Sequence, residues 1–194
     1  MENLDQYTKE KVTIDILKAN VFSIVVAFLA IFIFAVPFFI IWGFDSKMII
    51  IRNIFQSTPL VLIAMMFSVI LGIILHEIIH GIFFVIFAKN GFSSIKFGVL
   101  WEMLTPYCHC KEPLKIKQYI IGVIMPSIIL GFIPAVLSLF FGSIYLLFFG
   151  IFFIMVAAGD FMIILSLRKY HKEDFVQDHP SEVGCWVFIN NNKS

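Results

Sequence analysis

Two histidines and a glutamate, His76, Glu77 and His80, stand in the stretch "LHEIIHGIFF" (75–84), which is otherwise almost wholly apolar. They spell H-E-x-x-H. On a helix, positions i and i+4 share a face about one turn apart, so both imidazoles can reach one metal ion while Glu77 sits beside them to handle a proton. The metal implied is Zn2+, for which imidazole is a good ligand and which lowers the pKa of a water it holds to about 7. The competing explanation is a set of structural polar groups pairing between helices. Each ionisable group near the middle of a bilayer costs on the order of 2.5–3.5 kcal/mol, which makes three such groups an expensive way to join helices.

A catalytic zinc site usually has three protein ligands and an open position. Asp160, in "VAAGDFMII", is the only other acidic residue in an apolar run of spanning length. His80 lies nine residues before Lys89 and Asp160 eight residues before Arg168. At 1.5 Å per residue both sit roughly 12–14 Å inside the same end of their helices. Asp160 is therefore expected as the third ligand, or else as a partner that orients a histidine. Gly81 and Gly159 beside these residues are expected to let the two helix backbones approach closely. Glu102 is the rival ligand, but it falls in a water-facing loop where a lone glutamate is usually solvated. Cys108, His109 and Cys110 also have metal-binding side chains. On a strand the two cysteines face one way and the histidine the other, which favours packing. His171 and His179 lie in the tail, and His179 precedes Pro180, an extended or turn context.

These groups must be held by helices in an unusually apolar chain. Of 194 residues, 60% are hydrophobic and 14% charged, outside the range of an ordinary soluble domain. A hydrocarbon core of about 30 Å takes about 20 apolar residues in a helix. Such runs predict about four transmembrane helices, near 20–43, 59–88, 119–141 and 144–167, with Phe141, Gly142 and Ser143 as a tight turn and kinks at Pro37, Pro126 and Pro134. The fold class expected is an all-α polytopic membrane protein with a small cytoplasmic β element. The strands are expected at "SIKFGV" and "TPYCHC", joined through Trp101 and Glu102, and at Cys185–Ile189 after the turn-like "DHPSEVG". The expected organisation is an N-terminal segment 1–19, a four-helix transmembrane domain 20–170 containing the loop 89–118, and a tail 171–194.

The head of the chain mixes acids with bases and its first apolar run is too long for a signal-peptide core, so that run is expected to remain as an anchor. Of the 14 Lys and Arg residues only Lys47 and Arg52 fall between the first two spans. The positive-inside rule then makes the N-terminus, the 89–118 loop and the C-terminal tail cytoplasmic in a multi-pass cell-membrane protein. A net charge of +1 with no dense basic face argues against a nucleic-acid partner. Cys108, Cys110 and Cys185 are an odd number on the predicted cytoplasmic side, where thiols stay reduced. The Ile, Phe, Lys and Asn bias fits a bacterium with an AT-rich genome.

Two other intramembrane protease chemistries lack their partners. Gly159-Asp160 is half of a G-x-G-D pattern, but position 157 is Ala and no second membrane aspartate exists for a shared-proton dyad. "GFSS" at 91–94 lacks the closing glycine of a rhomboid-like serine motif. A metal transporter would require several intramembrane ionisable positions along a path.

The chain resembles the DUF3267 family of small zincin-peptidase-like membrane proteins and, more distantly, the site-2 proteases. The resemblance rests on "HEIIHG" (76–81), "PYC" (106–108) followed by "CKEPL", the helix with Pro126 and Pro134, "GD" (159–160) and "DHPSEVGC" (178–185). It implies a zinc-dependent intramembrane endopeptidase, with His76, His80 and Asp160 as metal ligands and Glu77 as general base and acid. The substrate would be a membrane protein or peptide presented in the lipid bilayer. The chain has "AGDF" where site-2 proteases carry L-D-G, and no separate PDZ domain is expected within it. The rival is a non-enzymatic membrane protein whose metal or polar cluster is structural.

Overall fold

The computed structural model describes residues 7–56, 59–101, 105–179 and 183–190. In chain order the elements are β1 (Tyr7–Thr13), α1 (Ile16–Ala30), a π-helical turn (Ile31–Ala35), α2 (Val36–Trp42), α3 (Phe44–Gln56) and α4 (Pro59–Phe87). A 3-10 turn (Gly91–Ser94), β2 (Ile95–Leu100), β3 (Thr105–Cys110) and β4 (Leu114–Lys115) follow. Then come α5 (Ile116–Pro126), a second π-helical turn (Ser127–Phe132), α6 (Ile133–Phe141), α7 (Ile144–Val156), α8 (Ala158–Leu167), β5 (Phe175–Asp178) and β6 (Gly184–Asn190).

Three helical stretches are long and apolar enough to cross a membrane: Leu17–Trp42, Pro59–Phe87 and Ile116–Phe141. A fourth stretch, expected as a helix near 144–167, consists of α7 and α8 meeting at a 44° bend. The break is at Ala157, whose φ of −73° and ψ of 7° leave the helical region. Two of the three prolines expected to kink their helices, Pro37 and Pro134, stand beside a π-helical turn, and Pro126 is the last residue of α5 before the second such turn. Each π turn lies just before a proline, Pro37 or Pro134, at the start of the next α-helix, where a missing N–H costs least. The turn at 141–143 also forms: Gly142 takes the left-handed φ of 63° and the Ser143 hydroxyl accepts from the Leu146 N–H.

The β structure is richer than expected. β2 and β3 form an antiparallel hairpin, while β1, β6, β5 and β4 form a four-stranded antiparallel sheet in that order. The N-terminal segment is thus a strand, Tyr7 to Thr13 running against Asn190 to Gly184. Its Lys/Glu alternation hid that partner from periodicity, because most of its side chains face water.

The chain forms two compact units. One comprises the described parts of 1–19, 77–125 and 159–194, and its core gathers Phe84, Cys110, Leu114, Tyr119, Leu167 and Val176 with Cys185 and Val187. Burial pushes the Cys110 and Cys185 thiols up to about 12. The clamp of Glu173 on Lys115 and Lys117 joins the tail to the start of α5 and holds that carboxyl down at about 2.

The other unit comprises the described parts of 20–76 and 126–158. Its helices meet at small residues: a Cβ on Gly150 would lie 2.5 Å from the Ala135 nitrogen and 2.7 Å from the Gly131 oxygen. Polar groups there are paired inside the apolar matrix. The Trp42 Nε1–H donates to the Leu139 carbonyl at 3.0 Å, and Lys47 Nζ donates to the Gly142 carbonyl at 2.8 Å.

Candidate metal centre

α4 carries His76, Glu77 and His80 on consecutive turns of an unbroken helix, and both histidines are buried. Asp160 lies in the first turn of α8, immediately after the break at Ala157. That break matters chemically. A new helix start presents backbone N–H groups without intrahelical partners, a favourable setting for a carboxylate.

Among the described residues, His76, His80 and Asp160 form a group whose potential ligand atoms all lie within 4.8 Å of one another. The distance from His80 Nε2 to Asp160 Oδ1 is 3.5 Å. Ligands about 2.0 Å from a tetrahedral zinc ion lie about 3.3 Å apart, so this pair already has the spacing of one tetrahedral edge. The donor set of two imidazoles and one carboxylate is also of the catalytic rather than the closed structural type. The residues therefore fit a zinc ion.

The orientation of His80 is set from behind. Its Nδ1 lies 3.0 Å from the Gly122 carbonyl oxygen on α5. A carbonyl can only accept, so Nδ1 carries the proton and Nε2 faces Asp160. A hydrogen bond on the far nitrogen is the usual device that fixes a metal-binding imidazole. Gly122 makes the approach possible: a Cβ there would sit 2.4 Å from the Phe84 ring. Phe84 in turn is stacked between His80, at a centroid distance of 6.0 Å, and Tyr119, at 5.2 Å. A backbone carbonyl leaves no mark in residue type, and nothing in the sequence singled out Gly122 beyond its being small.

The expectation for the neighbouring glycines is corrected. Gly81 faces the hairpin, where its Cβ would meet the Phe97 ring at 2.5 Å and Cys108 Sγ at 3.5 Å, and a Cβ on Gly159 would meet nothing within 4 Å. Gly81 therefore seats β2 and β3 against α4. Cross-strand partners Phe97 and Cys108 cover this face one residue from His80. Burial, and next the field of Glu77, push the Cys108 thiol up.

Cys110 is buried in the core with Sγ 3.5 Å from the Glu112 carbonyl oxygen, while His109 lines a separate cavity with Lys9, Lys111 and Trp186. The alternation expected of a strand holds. Glu102 lies outside the described residues. The His171 Nδ1 accepts from the Glu173 N–H at 3.3 Å, and the His179 ring packs on Trp186 at 5.1 Å, both local contacts of the tail. Ser94 of "GFSS" is buried and donates to Glu112 at 2.8 Å.

A buried histidine pair in the H-E-x-x-H pattern, with an aspartate within ligand distance, on helices long and apolar enough to cross a membrane, fits a zincin-type metal site. The family comparison agrees: the model of the family DUF3267, described as "Putative zincin peptidase", matches residues 69–175. The chain belongs to that family. The match spans α4 from before His76 through α8 and into the first residue of β5. No curated protein and no solved structure matches the chain.

Proposed function

We propose that the protein is an intramembrane zinc metallopeptidase that hydrolyses peptide bonds of membrane-associated or transmembrane substrates. The observation that carries the reading is the fixed His80 ring, hydrogen-bonded at Nδ1 to the Gly122 carbonyl with Nε2 3.5 Å from the Asp160 carboxylate. His76, His80 and Asp160 would hold a zinc ion, which would supply Lewis acidity for a scissile carbonyl and a water. Glu77, on the same turn as His76 and half-buried, takes the proton of the attacking water and delivers it to the departing amine.

A substrate helix must unwind before its carbonyl is reachable, because helical backbone groups are already satisfied. The hairpin strand β2 offers an edge on which an extended peptide can pair. The tail strand at 185–189 does not, because β6 is flanked on both sides by β1 and β5.

Sheet connectivity supports a four-span topology. β1 precedes the first span, β4 lies between the second and third, and β5 and β6 follow the last, yet all four strands belong to one sheet. Strands of one sheet lie on one side of a bilayer, so α7 and α8 together make the fourth crossing. The excess of Lys and Arg on that side makes it cytoplasmic.

The test is metal content and cleavage of a model transmembrane substrate by the detergent-purified wild type, Glu77→Ala and Asp160→Ala. Wild type is expected to carry zinc and cleave. Glu77→Ala is expected to keep zinc and lose about 10²–10⁴-fold in rate, the range for losing a general acid–base group. Wild type without zinc, or Glu77→Ala with undiminished cleavage, overturns the proposal.

A further inference from the structure

The sequence motif that begins at Asp178 lies beyond the family match, which ends at residue 175, and takes no part in the mechanism above. Asp178 is the last residue of β5, with its carboxylate turned into the unit that holds His80. Two donors converge on it, one for each oxygen. The Cys110 N–H, at the end of the hairpin, donates to Oδ2 at 2.7 Å, and the Tyr119 hydroxyl donates to Oδ1.

Tyr119 is buried, 2% exposed, on the first turns of α5. It lies three residues before Gly122, so the two occupy adjacent turns of one helix face. The ring of Tyr119 stacks on Phe84, Phe84 stacks on His80, and the Gly122 carbonyl meets His80 Nδ1. Asp178 therefore anchors the rotational setting of α5 at one end, and the carbonyl that orients His80 is read out at the other. The same carboxylate ties the end of β3, whose Cys108 rests against α4, to the same point.

We infer that Asp178 is a positioning residue of the metal centre, acting through the Tyr119 hydroxyl and α5 to hold the Gly122 carbonyl on His80 Nδ1. The inference rests on the reading of His80 as a metal ligand. An amide at position 178 keeps one acceptor oxygen for the Cys110 N–H but faces the Tyr119 hydroxyl with a donor, so Asp178→Asn reverses that bond and replaces a charge-assisted contact by a weaker neutral one. Tyr119→Phe removes the hydroxyl alone and keeps the ring stack.

The experiment uses the full chain in detergent with ¹⁵N-labelled histidine, and reads the hydrogen-bonded Nδ1–H resonance of His80, assigned by its absence in His80→Asn. Zinc affinity is measured in parallel by competition with a chromophoric chelator. Asp178→Asn and Tyr119→Phe are each expected to shift or broaden that resonance and to weaken zinc binding about tenfold, the lower range for losing support of a metal-binding histidine. The double variant is expected to bind no more weakly than the weaker single variant. Val176→Ala, a cavity in the same strand, is expected to lower thermal stability while leaving both readouts in place.

An unchanged His80 resonance and zinc affinity in Tyr119→Phe and Asp178→Asn, with stability lowered as in Val176→Ala, overturns the inference. Should Asp178→Asn not fold, Tyr119→Phe decides alone. A wild type that binds no zinc overturns the proposed function, while the resonance arm still decides the role of Asp178.

Discussion

Gly122 shows how much of a candidate metal centre can depend on a residue with no side chain. Its carbonyl holds His80, and its lack of a Cβ lets Phe84 lie against α5. Alanine there keeps the carbonyl but sets a methyl group 2.4 Å from a ring already confined by His80 on one side and Tyr119 on the other. Because Phe84 cannot swing away, α5 must, at an overpacking cost of about 1–3 kcal/mol. Gly122→Ala is expected to weaken zinc binding about tenfold, measured by chelator competition; affinity equal to wild type would show that the methyl group does not displace α5 from His80. The three side chains that come within ligand distance were legible in the sequence, because ionisable groups in an apolar run stand out by cost, and equal depth singled out Asp160. The carbonyl, the Phe84 stack and the Asp178 carboxylate were not, since hydrogen bonds to backbone and contacts between apolar rings carry no signature in residue type.

At the scale of elements, hydropathy located the spans to within a few residues but gave no view of their interior geometry. Length alone made 144–167 one helix, whereas Ala157 leaves the helical region and Asp160 begins a new one. The run Ala157-Ala158-Gly159 has no bulky side chain to lock a straight register, and a bend there depends on tertiary context that a window average cannot sense. The glycines separate in the same way. Gly150 sits where backbone meets backbone, so a methyl group has no flexible neighbour to displace, while the space around Gly159 is open. Gly150→Ala is expected to cost about 1–3 kcal/mol by forcing α6 and α7 apart. Gly159→Ala is expected to be neutral, or to gain up to about 1 kcal/mol of helix propensity. Unfolding of the two variants in one detergent checks this, and Gly159→Ala proving the more damaging would contradict the packing described.

At the scale of the whole molecule, the four-stranded sheet imposes a constraint that charge counting cannot. The positive-inside rule is a bias summed over loops, whereas hydrogen-bonded strands either share a side of the membrane or do not pair at all. β1 to β6 pairing joins the two ends of the chain, and β4 to β5 pairing joins the central loop to the tail. In the proposed membrane topology each pair therefore encloses an even number of crossings. In the proposed topology the helix α3, with Lys47 and Arg52, falls on the far side, between the first two candidate spans. A single cysteine introduced at Arg52, which is exposed, is expected to react with a membrane-impermeant maleimide in intact cells. One introduced at Lys172, equally exposed and just before β5, is expected to react only after the cells are opened. Labelling at Lys172 from outside would reverse the orientation. Labelling of both positions from the same side would break the four-span topology itself, and with it the requirement that α7 and α8 cross the membrane as one bent span carrying Asp160 at the bend.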